Sequence, residues 1–174
     1  MPFNEVIAWS LQTKARHVLM VFDACFSGSL FQTKGPIAVP DQNDFDSIRR
    51  GLSKPIRYYI TSGRQNEEVA APGTFAMLLL RGLRGAADVY HQGIISAEVL
   101  GSYLYHEVPK YTSRPQTPQY ASIGNAMLSE GQFFFLIEPA ATGMSAPLAK
   151  APAETPDSAT ANRPGTSNKK SGIK

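Results

Sequence analysis

His17-Val18-Leu19-Met20-Val21-Phe22, followed at once by Asp23-Ala24-Cys25-Phe26-Ser27-Gly28, is the stretch whose reading decides the fold. The run Val18 to Phe22 is apolar at every position, the pattern of a strand buried on both faces rather than of an amphipathic one. It ends in a turn of small residues. Upstream, Phe3, Val6, Ile7, Trp9 and Leu11 recur near helical spacing and Pro2 suits a first turn, so residues 2–14 read as an amphipathic helix. Helix, buried strand and small-residue turn together spell an α/β sheet, in which functional groups gather at the carboxyl ends of strands.

Downstream, residues 29–55 are rich in Gly, Pro, Asp, Asn and Ser and read as a long surface connection with at most one short helix. Ile56-Arg57-Tyr58-Tyr59-Ile60 is the second strand, ending in Thr61-Ser62-Gly63. Residues 74–84 form a strongly apolar helix, with Thr74 as N-cap and Gly85 just past its end. A further helix spans Glu98 to Glu107 behind the cap Ser96, and the run from Gln132 to Ile137 closes the sheet. Residues 139–174 are Ala, Pro, Ser, Thr or Gly at 24 of 36 positions and contain no aromatic residue, a composition that cannot offset its ordering entropy. The chain thus divides into a folded domain, 1–138, and a disordered tail, 139–174.

Charge follows the same division. Residues 1–138 hold twelve Lys/Arg and twelve Asp/Glu, so the net charge of +3 comes from the tail. A basic stripe on the folded part, the footprint of a nucleic-acid partner, is not found. The apolar runs are far too short to cross a bilayer, and no stretch has the grammar of a signal peptide. One cysteine among 174 residues excludes an internal disulfide and fits a reducing, cytoplasmic setting.

Asp23-Ala24-Cys25-Phe26-Ser27-Gly28 after a buried strand resembles the catalytic-cysteine motif of caspase-like peptidases. The acidic residue two positions before the cysteine points to the metacaspase and paracaspase branch. The likeness extends through the segment from Tyr59 to Glu68, Gly73-Thr74-Phe75 with its leucine-rich helix, Gly93 to Ser96, Gln116-Thr117-Pro118 and the closing Phe-rich strand. It covers about residues 5–137. The resemblance implies a three-layer α/β/α sandwich around a mostly parallel sheet, of which these residues supply roughly the C-terminal half.

On that resemblance Cys25 is the nucleophile, and its backbone N–H serves as one oxyanion donor. A thiolate is the competent species and a free thiol titrates near pH 8.5, so it needs activation. The bland alternative is a buried cysteine acting as a small hydrophobe. Asp23 is expected to line a pocket for Arg or Lys at the substrate's P1 position, with Glu67 and Glu68 as further candidates; the competing role for Asp23 is a local turn cap. Lys34, Arg49, Arg50 and Lys54 are candidate processing sites in the connection. Calcium serves many metacaspases, but the acidic position expected after the cysteine is Gln32 here, so no cofactor is expected.

The partner histidine is the gap. Caspases place it about 50 residues before the cysteine, and only 24 residues precede Cys25. His17, His91 and His106 read as structural or solvent-facing. The expectation is therefore an endopeptidase whose imidazole comes from an upstream segment or chain, acting on polypeptides. The rivals are an inactive pseudopeptidase scaffold and, more remotely, a nucleotide site at Ser27-Gly28-Ser29, which lacks a Walker lysine or a GxGxxG run.

Overall fold

The structure is a computed structural model, and it describes residues 3–26, 44–64, 67, 73–113 and 115–137. Helix α1 (Phe3–Gln12) leads into strand β1 (His17–Phe26); helix α2 (Phe45–Ser53) precedes strand β2 (Ile56–Arg64). Helix α3 (Thr74–Arg81) continues into a wider turn, Gly82–Ala86, before the short strand β3 (Ile94–Ser96) and helix α4 (Ala97–Tyr111). Strand β4 (Gln119–Ser122), a single 3-10 turn (Ala126–Leu128) and strand β5 (Phe134–Leu136) complete the order.

Strand β2 is the centre of a three-stranded mixed sheet, parallel to β1 on one side and antiparallel to β4 on the other. Side chains alternate across a strand, and β2 uses both faces. Ile56, Tyr58 and Ile60 join the main core with Phe75 and Leu78 of α3 and Leu100, Leu104 and Val108 of α4. Arg57 and Tyr59 turn the other way, onto α1, where both meet Ser10. The result is an α/β protein in three layers, with α1 on one face of the sheet and α3 with α4 on the other. β3 and β5 form a separate antiparallel pair. That pair is tied to the start of α4 by Ala97 N–H donating to the Phe133 carbonyl at 2.7 Å.

Local rules explain most helix ends. The Ser96 hydroxyl accepts from Val99 N–H and caps α4, as its sequence predicts. Thr74, predicted as a cap, is instead the first residue of α3; the cap is Gly73, whose φ of 83° suits glycine. Gly85 follows α3 with φ 110°, again a position open to glycine. α4 runs four residues beyond its predicted end, through Pro109, to Tyr111. The strand predicted over 132–137 is paired only at Phe134–Leu136.

Two expectations about burial are corrected. Trp9 and Leu11, predicted on the apolar face of α1, are 61% and 39% exposed, and fully buried Ser10 makes the contact instead. Hydrogen bonding by Tyr59 and Arg57 sets which face of α1 turns inward, overriding simple hydrophobic spacing. Strand β1, predicted to be buried on both faces, is only half-buried, and Val21 is 37% exposed; β1 lies at the sheet's edge, as expected if these residues supply only the later half of the sheet. Its outer side has no strand neighbour among the described residues.

Arg57 is the least expected core residue, at 2% exposure. Its guanidinium donates to the carbonyls of Ser10 (2.7 Å), Thr13 (3.0 Å), Arg16 (3.0 Å) and Ile56 (3.1 Å). The first three acceptors lie at the carboxyl end of α1 and the approach to β1, where carbonyls lack partners and the helix dipole is negative, and the fourth is on β2 itself. One planar fork satisfies them together. Glu98 is buried at the opposite layer; burial pushes its carboxyl up in pKa despite a hydrogen bond from Gln132.

Candidate active site

The candidate nucleophile sits where two parallel strands end side by side. β1 and β2 pair in step from His17 opposite Ile56 to Phe22 opposite Thr61; the step then slips, and Cys25 stands opposite Gly63. Asp23 and Ala24 thus share the span that Ser62 alone occupies on β2. This is a β-bulge: one extra residue that bends the strand, raises its twist and shifts the alternation of everything after it. Bulges concentrate at sheet edges, where β1 lies, and beside functional sites. The slip separates the register of Cys25 from that of the apolar run, which continuous pairing would have extended through it.

Asp23 and Ala24 are exposed, whereas Gly63 is buried. Ser62 is fully buried, and its hydroxyl has no hydrogen-bond partner among the described residues. The Cys25 side chain lies outside the described residues, as do Glu68, Gln32, Lys34, the Ser27-Gly28-Ser29 segment and the tail from 139 onward.

Glu67 has a definite place. Its carboxylate accepts from Arg64 N–H (2.9 Å), Thr117 N–H (2.7 Å) and the Thr117 hydroxyl (2.9 Å). The loop after β2 is thereby fastened to the segment Gln116-Thr117-Pro118 that leads into β4. Desolvation alone would raise the Glu67 pKa; the two backbone hydrogen bonds, the hydroxyl and the nearby Arg64 charge outweigh it and hold the carboxyl below its ordinary value. As a pocket candidate Glu67 therefore already carries a structural duty.

Its sign in stability follows directly. A carboxyl with a depressed folded pKa contributes stability above its unfolded pKa, and that contribution is lost as pH falls through the folded value. Glu67→Gln should lower the melting temperature at pH 7, and the gap between variant and parent should close on acidification. A gap independent of pH between 7 and 3 would contradict the ionised tie.

Of the three histidines, His17 stands at the far end of the strand that carries Cys25. His17 opens β1 and Cys25 lies eight residues along it, so at ~3.3 Å per residue they are about 26 Å apart. The His17 ring N–H donates from Nε2 to the Lys54 carbonyl at 3.0 Å, and the ring meets Phe133 edge-on. His106 donates from Nδ1 to the Ser102 carbonyl of its own helix at 2.8 Å. His91 is exposed at φ 55°, in a turn whose following N–H groups, on Gln92 and Gly93, donate to Asp88.

The candidate processing sites separate. Arg49 and Arg50 fall inside α2, not in irregular chain, and pair with Asp46 and Asp44 respectively. A helix must open before a protease can bind it as an extended strand, so these two are poorer sites than their sequence neighbourhood suggests. Lys54 caps the carboxyl end of α2 and pairs with Glu130 at 3.1 Å.

Sequence reasoning missed the bulge, the Glu67 to Thr117 tie and Arg57. Only Arg57 left a signal: a charged residue inside an otherwise apolar strand demands a partner for its charge. Among the described residues no group of three His, Cys, Asp or Glu side chains is arranged to hold a metal ion. No helix of the described residues is long and apolar enough to cross a membrane. Compared with known proteins, the chain matches no family model, no curated protein and no solved structure.

Proposed function

We propose that these residues are the nucleophile-bearing half of a caspase-like cysteine endopeptidase that cleaves after Arg or Lys. The observation that carries the reading is the bulge. It sets Asp23 and Cys25 at the carboxyl end of a parallel strand pair and takes Cys25 out of the register of the apolar run. A cysteine that merely filled the core would need no such break. The mixed sheet, layered between α1 and the α3–α4 pair, is compatible with a caspase-like fold that lacks its first strands.

In this reading the Cys25 thiolate attacks the scissile carbonyl, and the Cys25 backbone N–H faces the developing oxyanion. An imidazole from residues outside this sequence takes the thiol proton and returns it to the leaving amine. Water then cleaves the resulting thioester. Asp23, exposed one residue pair before the nucleophile, attracts the guanidinium or ammonium of the P1 residue. The setting is cytoplasmic, where the thiol stays reduced.

A second reading, a binding scaffold without activity, draws support from His17, which stands at the far end of β1 from the nucleophile position. The two separate on complementation. Supplied with a polypeptide that carries a strand and a His-Gly pair, the peptidase reading expects cleavage after Arg. In that complex Asp23→Asn should lower kcat/KM for Arg substrates about a hundredfold, the loss typical of an unpaired site charge. Its melting temperature should stay within about a degree, since exposed substitutions cost little. A preference for Asp at P1, or equal cleavage by the variant, would overturn the pocket assignment.

A further inference from the structure

Glu98 is a carboxylic acid kept inside the molecule without a charge partner. It sits in the first turn of α4 at 8% exposure, and no ion pair among the described residues includes it. Gln132 hydrogen-bonds its carboxyl, whereas the oxygen Oε2 is buried with no hydrogen-bond partner. Across from it on β2 stands buried Tyr58, whose hydroxyl is pushed up by burial first, then by Glu98 and by Tyr120 of β4. Neither tyrosine brings a positive charge. Lys54, at the end of α2, spends its ammonium on Glu130, and His17 of β1 donates to the Lys54 carbonyl and turns its ring to Phe133.

The segment that contains Gln132 is held at few points. Gly131 N–H donates to the Pro55 carbonyl (2.9 Å), Gln132 N–H to the Gly51 carbonyl (3.0 Å) and Ile137 N–H to the Gly93 carbonyl (2.8 Å). The Phe133 carbonyl accepts from Ala97 N–H, the residue before Glu98. Within the segment β5 pairs over three residues only, two of them half-buried and Leu136 exposed. α4 is anchored differently, by fully buried Leu100, Leu104 and Val108. An ionised carboxylate buried with an oxygen unpaired is costly, and contact with water removes that cost. The fold yields where its contacts are fewest, which is at residues 131–137 rather than at α4.

We propose that Glu98 is a proton-operated latch on residues 131–137: neutral, it holds Gln132 against the start of α4, and ionised, it lets that segment lift away with β5. The closed form keeps a proton that the open form releases, because burial raises the carboxyl above its ordinary value and water restores it. The latch therefore holds at low pH and weakens as pH rises from the ordinary value through the raised one. That is the reverse of the Glu67 tie, which weakens as pH falls. Lifting uncovers Phe133 and Phe135, which are packed against the core in the closed form. The latch needs nothing from the peptidase reading and stands or falls without it.

Hydrogen exchange followed by NMR on the full chain reads the latch directly, scanned upward from pH 4.5, the ordinary value of the carboxyl. Protection of the Ala97, Gln132 and Ile137 amides, corrected for intrinsic rates, should fall about tenfold per pH unit and then level off, since opening is linked to one proton. The Ile60 and Leu104 amides, in β2 and α4, should keep their protection. Glu98→Gln, which removes the ionisation and keeps the shape, should flatten the profile at the first three amides. Should that variant fail to fold, the carboxyl carbon-13 shift of Glu98 in the parent gives the second readout. It should titrate at the pH where the protection levels off. A profile flat in the parent, a fall shared equally by Ile60 and Leu104, a carboxyl that titrates elsewhere, or a slope that survives Glu98→Gln and so belongs to His17, would overturn the proposal.

Discussion

Incubated with fluorogenic peptides ending in Arg or Lys, the purified chain should release fluorophore at the background rate. Nucleophile and base act as a unit, and removing either one typically costs about as much as removing both, on the order of 10⁴-fold or more. The chain holds three histidines, and each has a local setting of its own. His17 is a whole strand away and donates to the Lys54 carbonyl; His106 donates to its own helix; His91 is exposed in the turn that follows the α3 segment. A free thiol near pH 8.5 still supplies some thiolate at pH 7.5, so Cys25 should react with iodoacetamide even where it cannot turn over a peptide. Sustained turnover that Cys25→Ala abolishes would show that a base is present within these residues.

Arg57→Met should lower stability by about 3 kcal/mol, and the melting temperature by roughly 10 °C. The side chain is 2% exposed and donates to four carbonyls that join α1, the approach to β1 and β2. Methionine fills much of the volume but leaves carbonyls at a helix end without donors. Arg57→Lys should recover little, because a single ammonium cannot reach acceptors arranged around a planar fork. Chemical denaturation of the three proteins measures this directly. A loss below about 1 kcal/mol would mean that water replaces the guanidinium with ease.

How much of this was legible depended on element length and on hydrogen bonding. Long periodic or uniformly apolar segments gave themselves away: the cores of β1 and β2, α3, and α4 with its Ser96 cap. Strands β3 and β4 have only three and four residues, too few for a period to register. Their place is set by partners distant in sequence, Ile95 against Phe135 and Tyr59 against Ala121. The exposure of Trp9 could not be read from spacing, because Ser10, a polar residue, was taken inward by Tyr59 and Arg57. The composition of β1, apolar on both faces, reads as that of a central strand, and its edge position here agrees with the expectation that only the later half of the sheet is present in these residues.

At the site, the motif drew attention to Asp23 and Cys25, but nothing in their identities announced a bulge. A bulge is a relation between two strands, and a slip of one residue leaves no mark in either sequence. The tie from Glu67 to Thr117 spans fifty residues and was equally hidden. It does bring together two of the segments that carry the family resemblance, the stretch after β2 and Gln116-Thr117-Pro118.

The central claim is that Cys25 is a peptidase nucleophile whose base lies outside these residues. The direct measurement mixes the chain with a polypeptide carrying a strand and a His-Gly pair and follows hydrolysis of an Arg-terminated peptide. The account predicts activity only in the mixture, lost with Cys25→Ala and lost again when the supplied histidine is replaced by alanine. Activity that survives Cys25→Ala, or a stable complex that cleaves nothing after Arg or Lys, would contradict it.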